Sequence, residues 1–221
     1  FMGLGYKIKT EQEQIHPKAF AQVLEKVQGK KEERVVSNLI LHTLKVAKYE
    51  AENKGHFGIA SKYYCHFTSP IRRYPDLFIH RIISKYLENN YQLKADEIEK
   101  YNIQAVQYAQ SSSEAERISQ KVEREAEDMK KAEFMQEKIG AEFDGIISNI
   151  TSFGIFVELE NTVEGLIKWE DLGNEYFIFD EKTKTAIGEK TKKKYQIGMP
   201  IHIQVIRADK NMREIDFKIK D

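Results

Sequence analysis

Two adjacent arginines, Arg72 and Arg73, stand in the run Ser69-Pro70-Ile71-Arg72-Arg73-Tyr74-Pro75-Asp76. A guanidinium presents its donors in a planar fork, so it can hold two oxygens of one phosphate and answer the charge that builds on them during hydrolysis. The competing use of either arginine is an ordinary ion pair with Asp76. Further along, Phe153 and Phe156 bracket Gly154. Rings that stand outward from a strand offer faces on which bases stack; rings that turn inward are only core. Lys182, Lys184, Lys190, Lys192, Lys193 and Lys194 form the one biased segment, which either tracks phosphates or caps a solvated hairpin. Zinc is not expected. The six histidines, His16, His42, His56, His66, His80 and His202, never fall at metal-ligand spacing, and Cys65 stands alone, reading as a small buried apolar residue.

Charge gives no global direction, because 35 basic side chains balance 35 acidic ones and any nucleic-acid surface must be local. The stretch from Glu142 to Asp180 is acidic and the end of the chain basic, so a polyanion is expected on the basic side. A lone cysteine excludes an internal disulfide and suits a reducing compartment. No apolar run approaches the roughly 20 residues of a membrane span, and the expectation is a cytoplasmic protein with no membrane partner. The length allows one or two domains. Opening at Phe1 and passing directly into Gly-Leu-Gly-Tyr, the chain reads as starting inside a folded domain.

The elements that must position these residues follow from periodicity. Phe20, Val23, Leu24 and Val27 recur at helical spacing from Pro17 to Gly29, and Val36, Leu39, Ile40, Leu44 and Ala47 do so from about Glu32 to Asn53; the two helices are predicted to pair. Aromatic- and glycine-rich sequence from Gly55 to Pro70 predicts short strands and loops. A helix is predicted from Pro75 and Asp76 to about Leu87, burying Ile79, Ile82, Ile83 and Tyr86. Another is predicted over Asp96–Gln110, and Ser113 with Glu116 reads as a capping box opening a long charged helix to about Lys138. After Gly140 the apolar period falls to two, through Ile146, Ile150, Phe153, Ile155, Val157, Leu166, Ile201, Ile203, Val205 and Ile215. That predicts a second, all-β domain. The fold class is therefore α+β, a mainly helical part over 1–139 followed by a barrel over 140–221.

Residues 140–219 carry Ser-Phe-Gly-Ile-Phe-Val-Glu-Leu, then Glu-Gly-Leu-Ile-Lys-Trp-Glu-Asp-Leu, then Ile-Gly-Met-Pro-Ile-His-Ile-Gln-Val. This resembles the RNA-binding OB-fold named after the largest small-subunit ribosomal protein, the S-one type. The resemblance implies a five-stranded barrel that holds single-stranded RNA, with its RNA surface falling on Phe153, Phe156, Lys168, Asp209 and Arg213. Lys168 stands where a histidine is common, which keeps a positive charge and loses a stacking plane.

Upstream, Gly-His-Phe-Gly-Ile-Ala and His-Phe-Thr-Ser-Pro-Ile-Arg-Arg-Tyr-Pro-Asp-Leu-Phe-Ile-His-Arg resemble the signature of the ribonuclease II and ribonuclease R catalytic domain. The Thr-Val-Glu-Gly-Leu stretch leans toward the ribonuclease R branch. What the resemblance implies is the C-terminal part of a processive hydrolytic exoribonuclease working from the 3′ end and releasing 5′-monophosphates. It places Arg72 at the scissile phosphate with Arg73 as second candidate, has Ser69 and Pro70 fix the turn, lines the RNA channel with Tyr64 and His66, and matches Glu123 to a glutamate that contacts a base near the 3′ end. Glu123 and Glu127, flanked by Lys121 and Arg124, also fit an ordinary solvated helix. Magnesium, held in the family by clustered aspartates, has no such cluster in 1–139, where Asp76, Asp96 and Asp128 are scattered. Its ligands are expected upstream of Phe1, and the chain alone is expected not to hydrolyse RNA. The alternatives are a non-catalytic module that binds RNA or a ribosome, and a pseudo-enzyme that has lost its metal site.

Overall fold

The computed structural model describes residues 17–30, 33–43, 46–56, 58–59, 61–173 and 175–220. The chain divides into two compact units, one of residues 45–123 and one of residues 1–44 with 124–221.

The 45–123 unit is built on a helix, α3 (Tyr74–Glu88), and the first part of a 42-residue helix, α4 (Ala95–Gln136). Pro75 lies in the first turn of α3, where its fixed φ suits a helix and its missing N–H costs nothing. The buried residues of α3 are Asp76 and Phe78, and Phe78 meets the rings of Tyr101 and Tyr108 edge-on. The face predicted from sequence is placed differently. Ile79 and Ile82 are half-buried, and Ile83 and Tyr86 are exposed. The segment from Gly55 to Pro70 is loop, pinned by one bridge in which the His56 and Ser61 backbones exchange hydrogen bonds of 2.8 and 3.2 Å. Phe57 and Ala60 lie outside the described residues.

Two helical predictions are corrected. α4 passes through Ser113 without a break, so Ser113 and Glu116 form no capping box. The Ser113 hydroxyl instead donates to the Ala109 carbonyl at 2.8 Å and accepts the Tyr49 amide at 2.9 Å. The helix expected to reach Asn53 ends at Thr43, and among the described residues 46–55 are not helical. An amide committed to a side chain 64 positions away is not free to continue a local helix ladder.

In the other unit α1 (Pro17–Val27) packs on α2 (Glu33–Thr43). Phe20, Val23, Val27, Val36 and Ile40 are buried, as the spacing predicts, whereas Leu24 is exposed. Five strands close the barrel in the order β1-β2-β3-β8-β7, with β1 Glu142–Thr151, β2 Gly154–Leu159, β3 Glu164–Lys168, β7 Pro200–Asp209 and β8 Glu214–Ile219. Between β3 and β7 the chain makes a 3-10 turn, Trp169–Leu172, and a meander of three short strands, β4 (Phe177–Asp180), β5 (Thr185–Gly188) and β6 (Lys194–Gln196). Ile147, Ile150, Ile155, Val157, Ile167, Ile203, Val205 and Phe217 fill the barrel, and Ala132 and Met135 at the end of α4 join that core. Ile146 is only half-buried, because a bulge between Ile147 and Asn149 shifts the alternation.

Glycines permit the barrel's close approaches, Gly154 and Gly165 among them. At Gly154, with φ +155°, a Cβ would lie 2.1 Å from the Ile167 carbonyl oxygen across the β2–β3 pair. At Gly165 it would lie 2.5 Å from the Phe217 ring. Gly154→Ala must therefore force β2 off β3. Overpacking of this kind costs about 3 kcal/mol or more where backbone is the obstacle, and urea unfolding of the variant should show it. A loss below about 1 kcal/mol would mean that the strands do not approach this closely.

Candidate functional site

The arginine turn is assembled around Asp76, whose side chain is fully buried. One carboxylate oxygen, Oδ2, accepts the Ser69 amide at 2.7 Å and the Arg73 Nη2 and Nε at 2.7 and 3.2 Å. The Ser69 carbonyl in turn accepts the amides of Arg72 and Arg73 at 3.3 and 3.0 Å. Burial pushes the Asp76 carboxyl up, but the Ser69 amide and the Arg73 guanidinium outweigh it and hold the group below its ordinary value. Asp76 also stands in the first turn of α3, where the helix dipole favours a negative charge. Its second oxygen, Oδ1, is buried without a hydrogen-bond partner among the described residues.

The two arginines are thereby separated in role. Arg73 is the one that pairs with Asp76, and its side chain keeps only 19% exposure. Arg72 is exposed and makes no ion pair among the described residues. Beside it Ile71 is fully exposed. Sequence reasoning treated Asp76 as a rival claimant for either arginine and missed that it also holds the Ser69 amide. An acidic residue just inside a helix, seven positions after a Ser-Pro turn, was the available signal.

Tyr64 and His66 belong to a chain of edge-to-face rings. Tyr49 meets His66 with centroids 5.3 Å apart, His66 meets Tyr64 at 5.8 Å, and Tyr64 meets His56 at 4.8 Å. The Tyr49 hydroxyl and His66 Nδ1 lie 3.3 Å apart. Burial, helped by Arg73, lowers the His66 pKa. Burial and then Glu116 raise the Tyr49 hydroxyl. Tyr64 keeps 48% of its surface open. Glu123 stands exposed on α4, not on this turn. Cys65, read from sequence as a buried residue, is exposed.

On the barrel, Phe153 occupies the β1–β2 turn with 73% of its surface open. Phe156 is half-buried on the outer face of β2, opposite Leu166. The cations beside them are tethered. Lys168 Nζ lies 3.1 Å from Asp216 Oδ2, and Arg207 Nε donates to the same oxygen at 2.7 Å. Arg213 Nη1 reaches Glu125 on α4 at 3.0 Å. Asp209 uses Oδ1 to accept the amides of Asn211 and Met212 at 2.9 and 3.0 Å, so it closes the β7–β8 turn. Trp169 escaped the sequence reading. Its indole N–H donates to the Ser152 carbonyl at 2.9 Å, and its ring stacks on Phe177 at 5.5 Å.

Among the described residues no three His, Cys, Asp or Glu side chains gather as a metal site. Asp76, the one buried carboxylate near the arginines, is occupied by the Ser69 amide and Arg73. The residues described do not fit a catalytic magnesium.

Asp76→Asn removes the charge that Arg73 was folded to meet. Breaking a buried pair in this way costs about 3 kcal/mol, the low end of the usual range because Arg73 is partly solvated. The lowered pKa sets the pH window. Asp76 contributes fully above its ordinary value of 3.8 and loses that contribution as pH falls through the lower folded value. Urea midpoints measured against pH should therefore fall less on acidification for Asp76→Asn than for the parent chain; equal stability of the two at pH 7 would contradict the assignment.

Comparison with known proteins matches the RNB domain family over residues 4–89 and the S1 RNA binding domain family over residues 136–220. Ribonuclease R 1 of Lactococcus lactis is 42% identical over 214 residues, covering 97% of this chain and 26% of that protein. Ribonuclease R of Aquifex aeolicus is 40% identical over 220 residues, covering 98% of this chain and 30% of that protein. Among solved structures, Mycoplasma genitalium RNase R in complex with ribose methylated single-stranded RNA has a TM-score of 0.90 at 30% identity, covering 98% of this chain and 34% of that one. The chain thus spans less than a third of the length of these curated relatives. An RNB segment thus carries the arginine turn and an S1 RNA binding domain carries the exposed phenylalanine, and over nearly its whole length the chain is similar to ribonuclease R proteins.

Proposed function

We propose that this chain is the C-terminal portion of a processive, hydrolytic exoribonuclease that shortens single-stranded RNA from its 3′ end and releases 5′-monophosphates. In this reading 1–139 belongs to the catalytic domain, 140–221 is the RNA-holding barrel, and the protein works in the cytoplasm. One observation carries it. Asp76 engages Arg73 and leaves the neighbouring guanidinium of Arg72 exposed on a turn whose backbone is fixed.

A fork of donors held in place meets charge as it grows on phosphate oxygens, without reorganising at the moment of reaction. Arg72 takes that role, and Arg73 acts through the turn that aims it. Tyr64 supplies a ring face along the strand's path, with His66 packed behind it. Phe153 stacks a base at the barrel, and its open ring explains tolerance of any sequence. Support for RNA as the ligand comes from the S1 match and from the single-stranded RNA bound by the Mycoplasma genitalium relative.

No step of this proposal runs through a metal on this chain, since its described carboxylates do not assemble one. Magnesium is proposed to sit on the part of the relatives' length that this chain does not span, and the chain alone is proposed to be inactive. Ribosome attachment belongs to the rival reading as a binding module, which the arginine turn does not require.

The test is Arg72→Ala in the longer polypeptide that contains this chain. Removing one such donor costs roughly 2.7–4 kcal/mol in the transition state, so turnover of a poly(A) strand should fall about a hundred- to a thousandfold while its binding changes little. An undiminished rate would remove the nuclease role of Arg72. For the barrel, Phe153→Ala should weaken poly(A) binding by about 1–3 kcal/mol, read by fluorescence anisotropy; unchanged affinity would remove the stacking role.

A further inference from the structure

The lysine-rich meander is a structured platform, and its charges are presented in a particular way. Lys182 and Lys184 sit in the β4–β5 turn; Lys190, Lys192 and Lys193 occupy the β5–β6 turn, and Lys194 begins β6. Because successive turns of a meander lie at opposite ends, the lysines bracket a short sheet. Across its outer face Ile178 pairs with Ile187, and Ile187 with Lys194. Ile178 and Ile187 are exposed there, while Phe177, Ala186 and Tyr195 on the other face join the barrel core.

None of the six lysines makes an ion pair among the described residues. The nearby carboxylates face the backbone instead. Glu175 accepts the amides of Lys190 and Thr191, each at 2.9 Å, and Asp180 accepts the amide of Lys182 at 2.9 Å and the Thr183 hydroxyl at 2.8 Å. Those acids shape the turns from within; Lys184 and Lys193 rest over the rings of Phe179 and Tyr195 at 5.6 and 5.4 Å, and Lys182, Lys190, Lys192 and Lys194 are exposed.

Two of the lysines occupy conformations that lysine disfavours. Lys184 has φ +50° and Lys192 φ +58°, the left-handed region where glycine or asparagine is at home. One lysine in each turn thus sits where glycine would be at ease, and Lys184 there lies over the Phe179 ring at 5.6 Å. The meander is also fastened to the stacking turn, through the Trp169 indole that donates to Ser152 and packs on Phe177. Phe153 and the lysines thus belong to one compact unit.

We propose that the meander is a phosphate-backbone track for RNA, a second contact surface beyond the stacking face of the barrel. It binds by charge, without reading sequence, and extends the hold on a strand that Phe153 stacks. This rests on the reading that the barrel holds single-stranded RNA.

The experiment measures poly(A) affinity of the 221-residue chain against salt for the parent, for Lys184→Gly with Lys192→Gly, and for Phe153→Ala. Each lost phosphate contact lowers the slope of log affinity against log salt by about 0.7 on a single strand, so the double glycine variant should show a slope smaller by about 1.4. Between 50 and 200 mM salt that amounts to about a sevenfold smaller loss of affinity. Glycine relieves both left-handed positions, which offsets the loss of the Lys184 contact over Phe179, so the melting temperature should change little. Phe153→Ala should weaken binding evenly at every salt and keep the parent slope; if it does nothing, stacking fails while the lysine result stands. Should the double variant misfold, Lys190→Gln with Lys194→Gln, at exposed positions with ordinary backbone, serves in its place. A parent slope in a folded lysine variant overturns the proposal. So does a parent slope together with lost binding to phosphatidylserine vesicles, which would assign the patch to a membrane surface.

Discussion

A carboxylate withdrawn from water dictates the arrangement of the arginine turn. Burying Asp76 would be expensive if its charge were left alone, and the structure meets that cost with one amide, one guanidinium and the first turn of a helix. Each of those partners is thereby fixed. Ser69 cannot leave without exposing the carboxylate to an unpaired state, Arg73 cannot swing outward, and α3 must begin where it does. Arg72 inherits its direction from constraints that act on its neighbours. An exposed side chain is thus carried on a backbone whose hydrogen bonds fix where it starts.

The barrel solves a parallel problem with geometry. An exposed phenylalanine beside a strand gains nothing from burial, and its position has to be imposed by the backbone. Gly154 imposes it, since β2 runs so close to Ile167 that no side chain fits at that point. The ring of Phe153 is left on the outside of the turn, with Trp169 holding the adjacent carbonyl. Behind it the outer face is not a field of loose charge. Asp216 gathers Lys168 and Arg207, and Asp209 closes a turn, so several residues matched to an RNA surface also hold the sheet's own surface in order. Any contact they make with a ligand must compete with those bonds.

What was legible in the sequence was what local physics decides. The helix start at Tyr74 and Pro75 follows from proline and an early acid, and the barrel strands follow from alternation through Ile150, Ile155, Val157, Ile203 and Val205. The failures share a cause in partners distant along the chain. Ser113 carries a cap's signature, yet its hydroxyl serves Tyr49 across 64 positions. The same contact holds the segment that periodicity assigned to a longer second helix. Ile83 and Tyr86 were assigned to a buried face by spacing, which reports that a helix has an apolar side but not whether this chain supplies the surface to cover it. At the site, the sequence singled out Arg72 and Arg73 and put Arg72 first by resemblance, whereas which of them pairs with Asp76 needed the fold of the turn.

The meander's short strands carry one more consequence. A three-stranded sheet ends in two open edges, and an open edge is a template onto which a strand from another copy can add. Here β6 is only three residues long, starts with a lysine and is preceded by two more. Strand addition would have to bury those ammonium groups against a neighbour's backbone, at the cost of their hydration. The same charges that suit a polyanion therefore discourage aggregation at the place where this small sheet is most open to it.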